Sequence, residues 1–166
     1  FTMVNNANPI LFEYPIISTN IKYLKLVKKY LKNNKIKKFK IVLEPSKKNT
    51  APAILSSALI NDIKPHEPII FFAADHLVEK SNVFNRSINK NKIYLNDKNI
   101  FIFGIKPSNP SSQYGYFLTK KVRRNINKVV KFIEKPNTTK AKQIIKKKGY
   151  WNSGIFFIRK DSLIYN

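Results

Sequence analysis

The chain predicts a doubly wound α/β sheet, because apolar runs of strand length alternate with segments of helical periodicity and turn-forming residues separate them. From the amino end, PIIS (Pro15 to Ser18) reads as a short strand. Asn20 can cap the segment after it, in which Leu24, Val27 and Leu31 recur at helical spacing. KFKIVLE (Lys38 to Glu44) alternates as a second strand. Thr50 or Asn49 can cap the next helix, which carries Pro52 in its first turn and continues through Ile54, Leu55, Ala58 and Leu59. PIIFFAAD (Pro68 to Asp75) is continuously apolar, as expected of a strand buried on both faces of a parallel sheet, and places Asp75 at its carboxyl end. Val83 to Ile88 predicts a short helix, and NIFIFGI (Asn99 to Ile105) another buried strand.

The last third changes character. YGYFLT (Tyr114 to Thr119) and VVKFIEK (Val129 to Lys135) are β-rich and flank a basic loop, which predicts an antiparallel pair and a mixed sheet. Asn137 or Thr138 caps a helix with Ala141, Ile144 and Ile145 inward and Gly149 just past its end, and WNSGIFFI supplies a final strand. Without internal repeats or low-complexity linkers, residues 1–166 read as a single domain. The first residue is Phe1 and the last residues, LIYN, fall in an apparent helix start, so the expectation is a piece of something longer.

The 166 residues are 43% hydrophobic, enough for a core. Without cysteine there are no disulfides or thiolate metal sites, and His66 and His76 are too few for an imidazole zinc site. With no apolar run long enough to span a bilayer and no signal-type start, the expectation is a soluble, cytoplasmic protein with no membrane contact. The formal charge is +23, but lysines are spread through every segment alongside an excess of Asn, Ile, Phe and Tyr. That distribution reads as compositional drift with a polyanion-friendly surface, and no specific nucleic-acid partner is expected.

In open α/β sheets ligands bind outside the carboxyl ends of the strands. The residues there are Glu44 with the NTAPA helix start, Asp75 with His76, Tyr114 to Tyr116 around Gly115, Glu134 with Lys135, and Asn152 to Gly154. A helix start at Asn49 to Ala53 offers free N–H groups to an anion or a base edge, or is simply capped by Thr50. Asp75 can hold a divalent metal at a phosphate site or cap a turn. Glu134 and Lys135 point to opposite faces of a regular strand, yet a bend at Pro136 would turn both toward one ligand, the acid to hydroxyls and the ammonium to a phosphate. Asn152 can donate to and accept from a sugar hydroxyl, and Gly154 permits close backbone approach. The earliest glycine is Gly104, so no glycine-rich phosphate loop stands between the first strand and helix.

Taken in order, EPSKKNTAPAI, AADH, FGIKPSNP, YGYF, FIEKP and WNSGIFFIRK resemble the motifs of the bacterial mannose-1-phosphate guanylyltransferases, a family of nucleotide-sugar pyrophosphorylases, from about Pro9 to Leu163. The resemblance implies a Rossmann-like, glycosyltransferase-A type fold: three layers, α/β/α, with a mixed, mainly parallel sheet, here incomplete. It implies transfer of a guanylyl group from GTP to mannose 1-phosphate with magnesium. It places Asn49, Thr50, Ala51 and Pro52 against the guanine and Asp75 on the metal. Gly115 and Asn152 would contact the mannose, Glu134 its hydroxyls and Lys135 its phosphate, with Asp75 and Lys135 as the catalytic pair.

The departures are local. Lys47 and Lys48 replace a glycine and an arginine, Ala73 replaces a proline, and Ser111, Ser112 and Gln113 replace glutamate, threonine and glycine. The resemblance further implies an amino-terminal GGxGTRLWP-type loop before Phe1 and a second metal-binding aspartate after Asn166, so activity of this chain alone is expected to be impaired. Two other readings stand beside the leading one: a relative acting on another sugar 1-phosphate or nucleotide, and a non-catalytic basic binding module. The oligomeric state is not legible.

Overall fold

A computed structural model describes residues 11–44, 50–123 and 126–165. These form two compact units, one from the beginning of the chain through Ile100 together with the residues from Ile158 onward, the other from Phe101 to Phe157. Among the described residues no helix is long and apolar enough to cross a membrane.

In the first unit β1 (Ile16–Asn20) and β2 (Lys40–Glu44) pair in parallel, Ile16 opposite Lys40 and Asn20 opposite Glu44. Parallel strands require a crossover, and α1 (Leu24–Asn33) supplies it. Asn20 accepts from the Lys22 N–H and starts a 3-10 turn, Ile21–Tyr23, that runs into α1, whose Val27 and Leu31 are buried at the predicted spacing. Helix α2 (Thr50–Ala58) carries Pro52 in its first turn. It buries Ser57 and Ala58, while Leu55 and Leu59 of the predicted apolar run stay exposed.

The strand predicted over Pro68 to Asp75 is shorter, β3 (Pro68–Phe71), and half-buried. The chain leaves it at Phe72 and folds a turn in which the His76 N–H donates to the Ala73 carbonyl. The expected helix is present as α3 (Ser81–Asn91), and a 3-10 turn, Lys92–Tyr94, follows it. The end of the chain ties this unit to itself. The Lys160 ammonium donates to the carbonyls of Ile60 and Ile63, and the Asp161 N–H to that of Pro65.

In the second unit β4 (Ile100–Ile105) and β5 (Tyr116–Lys121) both neighbour β7 (Tyr150–Arg159), and β5 also pairs with β6 (Asn127–Ile133). β5 runs antiparallel to both: Tyr116 faces Ile133 on one side and Trp151 on the other. The expectation of a mainly parallel sheet is therefore corrected to one mixing parallel and antiparallel pairs. β5 and β6 are close neighbours in sequence and pair antiparallel, and the helix between β6 and β7 returns the chain in the direction of β6.

That helix, α4 (Thr138–Lys146), is capped by Asn137, whose side chain accepts from the Lys140 N–H at 2.9 Å. Tyr116, Ala141 and Ile144 form its buried core with Leu118, Ile133, Ile145 and Trp151 packed around them. The helix ends with paired bonds from the Lys148 N–H to the Ile145 carbonyl and from the Gly149 N–H to the Ile144 carbonyl. Lys148, not Gly149, takes the left-handed position, at φ 57°. A Cβ on Gly149 would lie 2.3 Å from the Ile144 Cγ2 atom. A final helix, α5 (Lys160–Tyr165), follows β7.

Candidate functional site

Unit two gathers four of the predicted residues. Trp151 and Tyr116 face α4, so strand alternation sends Asn152 and Gly115 to the opposite side of the sheet. There the Asn152 N–H donates to the Gly115 carbonyl at 2.8 Å. A Cβ on Gly115 would meet the Glu134 Oε2 atom at 2.8 Å and the Phe132 ring at the same distance, so glycine is what allows the carboxylate to rest on this backbone.

Lys135 resolves the facing problem posed by the sequence. It adopts φ 38°, in the left-handed region, and the following Pro136 is buried. Regular alternation would separate its side chain from that of Glu134. Instead the Lys135 Nζ and Glu134 Oε1 atoms stand 4.0 Å apart, with both side chains more than 60% exposed. For a lysine this conformation stores about 1–2 kcal/mol, and such strain collects where a side chain must be aimed.

Asn152 is held by its own turn. Its Oδ1 atom accepts from the Gly154 N–H at 3.0 Å, with Gly154 at φ 70°. That leaves the Nδ2 amide as a donor. Around Gly115, Glu134 supplies acceptors, the neighbouring Lys135 an exposed cation and Asn152 a donor. Such a set suits a polyhydroxylated anion.

The first unit holds the other candidates. Thr50, Ala51 and Pro52 are exposed and form the first turn of α2, where backbone N–H groups lack helical partners. Asn49, with Lys47 and Lys48, lies outside the described residues. Asp75 is exposed in the turn beyond β3 rather than at the strand end itself. Glu44, named among the strand-end residues, is held in the same unit. The Ser18 hydroxyl donates to the Glu44 carboxylate and the Asn20 amide donates to the Glu44 carbonyl, fixing Glu44 at the carboxyl end of β2. Asn20 therefore serves both as a helix cap and as a tether for Glu44, a pairing detectable in the sequence only once the parallel register is known.

The model of the family described as "Nucleotidyl transferase" matches residues 1–165. The chain belongs to the nucleotidyl transferase family. It is 40% identical over 125 residues to a mannose-1-phosphate guanylyltransferase of Escherichia coli, covering 70% of this chain and 27% of that protein. With the mannose-1-phosphate guanylyltransferase of Salmonella muenchen it shares 30% identity, covering 97% of this chain and 35% of that one. Among solved structures, one described as mannose-6-phosphate isomerase from Helicobacter pylori superposes with a TM-score of 0.81 at 29% identity, over 97% of this chain and 60% of that chain. These relatives support the Rossmann-like α/β fold of the family. The chain spans about a third of the length of the curated relatives it matches.

Proposed function

We propose that this chain forms part of a mannose-1-phosphate guanylyltransferase, an enzyme that joins GTP and mannose 1-phosphate into GDP-mannose and pyrophosphate. The observation that carries the proposal is the Gly115–Glu134–Lys135–Asn152 cluster, which matches a sugar phosphate in chemistry as the relatives match the chain in sequence. In this reading the four residues take the sugar phosphate, and Asn49, Thr50, Ala51 and Pro52 take the guanine.

A phosphate oxygen of mannose 1-phosphate attacks the α-phosphorus of GTP in line, a new P–O bond forms, the bond to the β-phosphate oxygen breaks, and pyrophosphate leaves with the electron pair. Positioning and charge neutralisation supply most of the catalysis in such a transfer. Lys135 holds the nucleophilic phosphate and offsets its charge, while Glu134 and Asn152 orient the sugar.

Magnesium fits the same reading. Among the described residues no group of three or more His, Cys, Asp or Glu side chains forms a protein cage. Magnesium is commonly held by one or two carboxylates, waters and substrate phosphates, and the exposed Asp75 carboxylate is suited to that role. When bound, the ion would neutralise charge at the phosphates. A single nucleotidyltransferase domain and a cytoplasmic setting, in keeping with a cysteine-free chain, belong to the same proposal.

The test is a matrix of nucleoside triphosphates against sugar 1-phosphates, assayed for pyrophosphate release by the full-length protein with magnesium. GTP with mannose 1-phosphate is expected to give the highest kcat/KM. A different preferred pair, or no release with any pair, would overturn the proposal.

A further inference from the structure

Tyr116 is fully buried on β5, between Ala141 and Ile144 of α4 and edge-on to Trp151 at 6.4 Å. A phenol placed in such a core must find an acceptor. It does so outside the core: its hydroxyl donates to the Ser111 carbonyl at 2.8 Å. Ser111 is the node of the segment joining β4 to β5. Its N–H donates to the Asn109 carbonyl at 3.1 Å, and its hydroxyl accepts from the Gln113 N–H at 3.1 Å. Ser112, Gln113 and Tyr114 are exposed, and the segment then enters Gly115, whose carbonyl is held by Asn152. Two bonds therefore fix this segment, one at Ser111 and one at Gly115.

We infer that Tyr116 is a positioning residue: through Ser111 it fixes the segment that presents Gly115 to the sugar phosphate. A phenylalanine would fill the same volume against α4, so the hydroxyl serves the loop and not the packing. The inference rests on the proposed sugar-phosphate role of this cluster, although the tether itself can be observed without ligand.

Tyr116→Phe tests it in the full-length protein, with Ile144→Val as a reference that thins the same core without touching the loop. In Tyr116→Phe, amide hydrogen exchange at Ser111 and Gln113 is expected to accelerate about tenfold, and KM for mannose 1-phosphate to rise three- to tenfold, with KM for GTP and kcat within twofold of wild type. Ile144→Val is expected to leave the Ser111 and Gln113 exchange and the sugar-phosphate KM unchanged. Unchanged loop exchange in Tyr116→Phe would overturn the inference whatever the substrate. So would an equal rise in KM for the two variants. Absence of mannose 1-phosphate turnover in the wild type, with loop exchange still accelerated in Tyr116→Phe, would instead overturn the proposed function on which the catalytic part of the inference depends.

Discussion

Gly115 lies directly beneath Glu134: a methyl group on the glycine would stand 2.8 Å from the carboxylate Oε2 atom. The same methyl would meet the end of the Phe132 ring at 2.8 Å, so the two side chains would have to move together. Gly115→Ala is therefore expected to displace the Glu134 carboxylate and raise KM for mannose 1-phosphate about tenfold or more, with KM for GTP unchanged. Steady-state kinetics with each substrate varied in turn checks this, and an unchanged sugar-phosphate KM would contradict it.

Lys135 separates stability from activity. Replacing it with glycine removes both the left-handed strain and the ammonium. Lys135→Gly is expected to melt higher, by about 1 kcal/mol of stability, and to lose about a hundredfold in kcat/KM. Lys135→Ala keeps the strain and should lose activity to a similar extent without gaining stability. Denaturant titrations beside kinetics of both variants distinguish the two contributions.

The end of α4 offers a second backbone test. Lys148→Gly, at φ 57°, is expected to stabilise the protein by about 1 kcal/mol. Gly149→Ala should destabilise it by about 2 kcal/mol, because the new Cβ would collide with Ile144, which is packed in the core. Shifts in the denaturation midpoint of opposite sign are the expected result.

Asp161 sets an acid-side dependence. Its carboxyl is held below the ordinary carboxylate range chiefly by the hydrogen bond from Arg159, helped by the Ser162 N–H. A depressed folded-state pKa contributes stability that is present above the unfolded value, about 3.9, and lost as pH falls through the lower folded value. Melting temperature should therefore fall as pH drops below about 4, and Asp161→Asn should flatten that part of the profile. An identical acid limb in the variant would contradict the assignment.

Ionic strength bears on the same site through net charge. From Phe101 to Phe157 the chain carries thirteen lysines and arginines, with Glu134 as the sole acid. Such a field attracts a phosphorylated substrate and is screened by salt. KM for mannose 1-phosphate is expected to rise between 0.02 and 0.3 M salt by roughly threefold, given Debye lengths that shrink from about 20 to 6 Å. A flat salt profile would show that the surrounding lysines do not contribute.

Local chemistry made much of this legible. Asn20, Asn137 and Pro52 stand at helix starts because their side chains suit those positions, and Val27, Leu31, Ala141 and Ile144 turn inward at the spacing their periodicity predicts. The antiparallel β5–β6 pair followed from two β-rich runs around a basic loop. The strand before Asp75 was overextended because an apolar run does not disclose where hydrogen bonding stops, and the alanines Ala73 and Ala74 fit a turn as readily as a strand. The share of parallel pairing was overestimated because hydrophobic pattern records burial and not polarity along the chain. The left-handed Lys135 and Lys148 were invisible for a related reason: lysine has no preference for that conformation, and at Lys148 the local backbone bonds that close α4 impose it. The Ser18–Glu44 contact joins residues whose proximity depends on a register no local pattern states.

The turn at Asn152 has one more consequence. With one lone pair of Oδ1 taken by the Gly154 N–H, the Asn152 side chain turns its Nδ2 amide outward as a donor, while the Glu134 carboxylate offers acceptors. A group that satisfies both must give a proton in one direction and receive one from the other, which a hydroxyl does and a hydrogen or fluorine substituent does not. Under the proposed sugar-phosphate role, the cluster would sense the hydrogen-bond polarity of a sugar's hydroxyls as well as their position, and deoxy and fluoro sugars are expected to bind more weakly even where they fit by size.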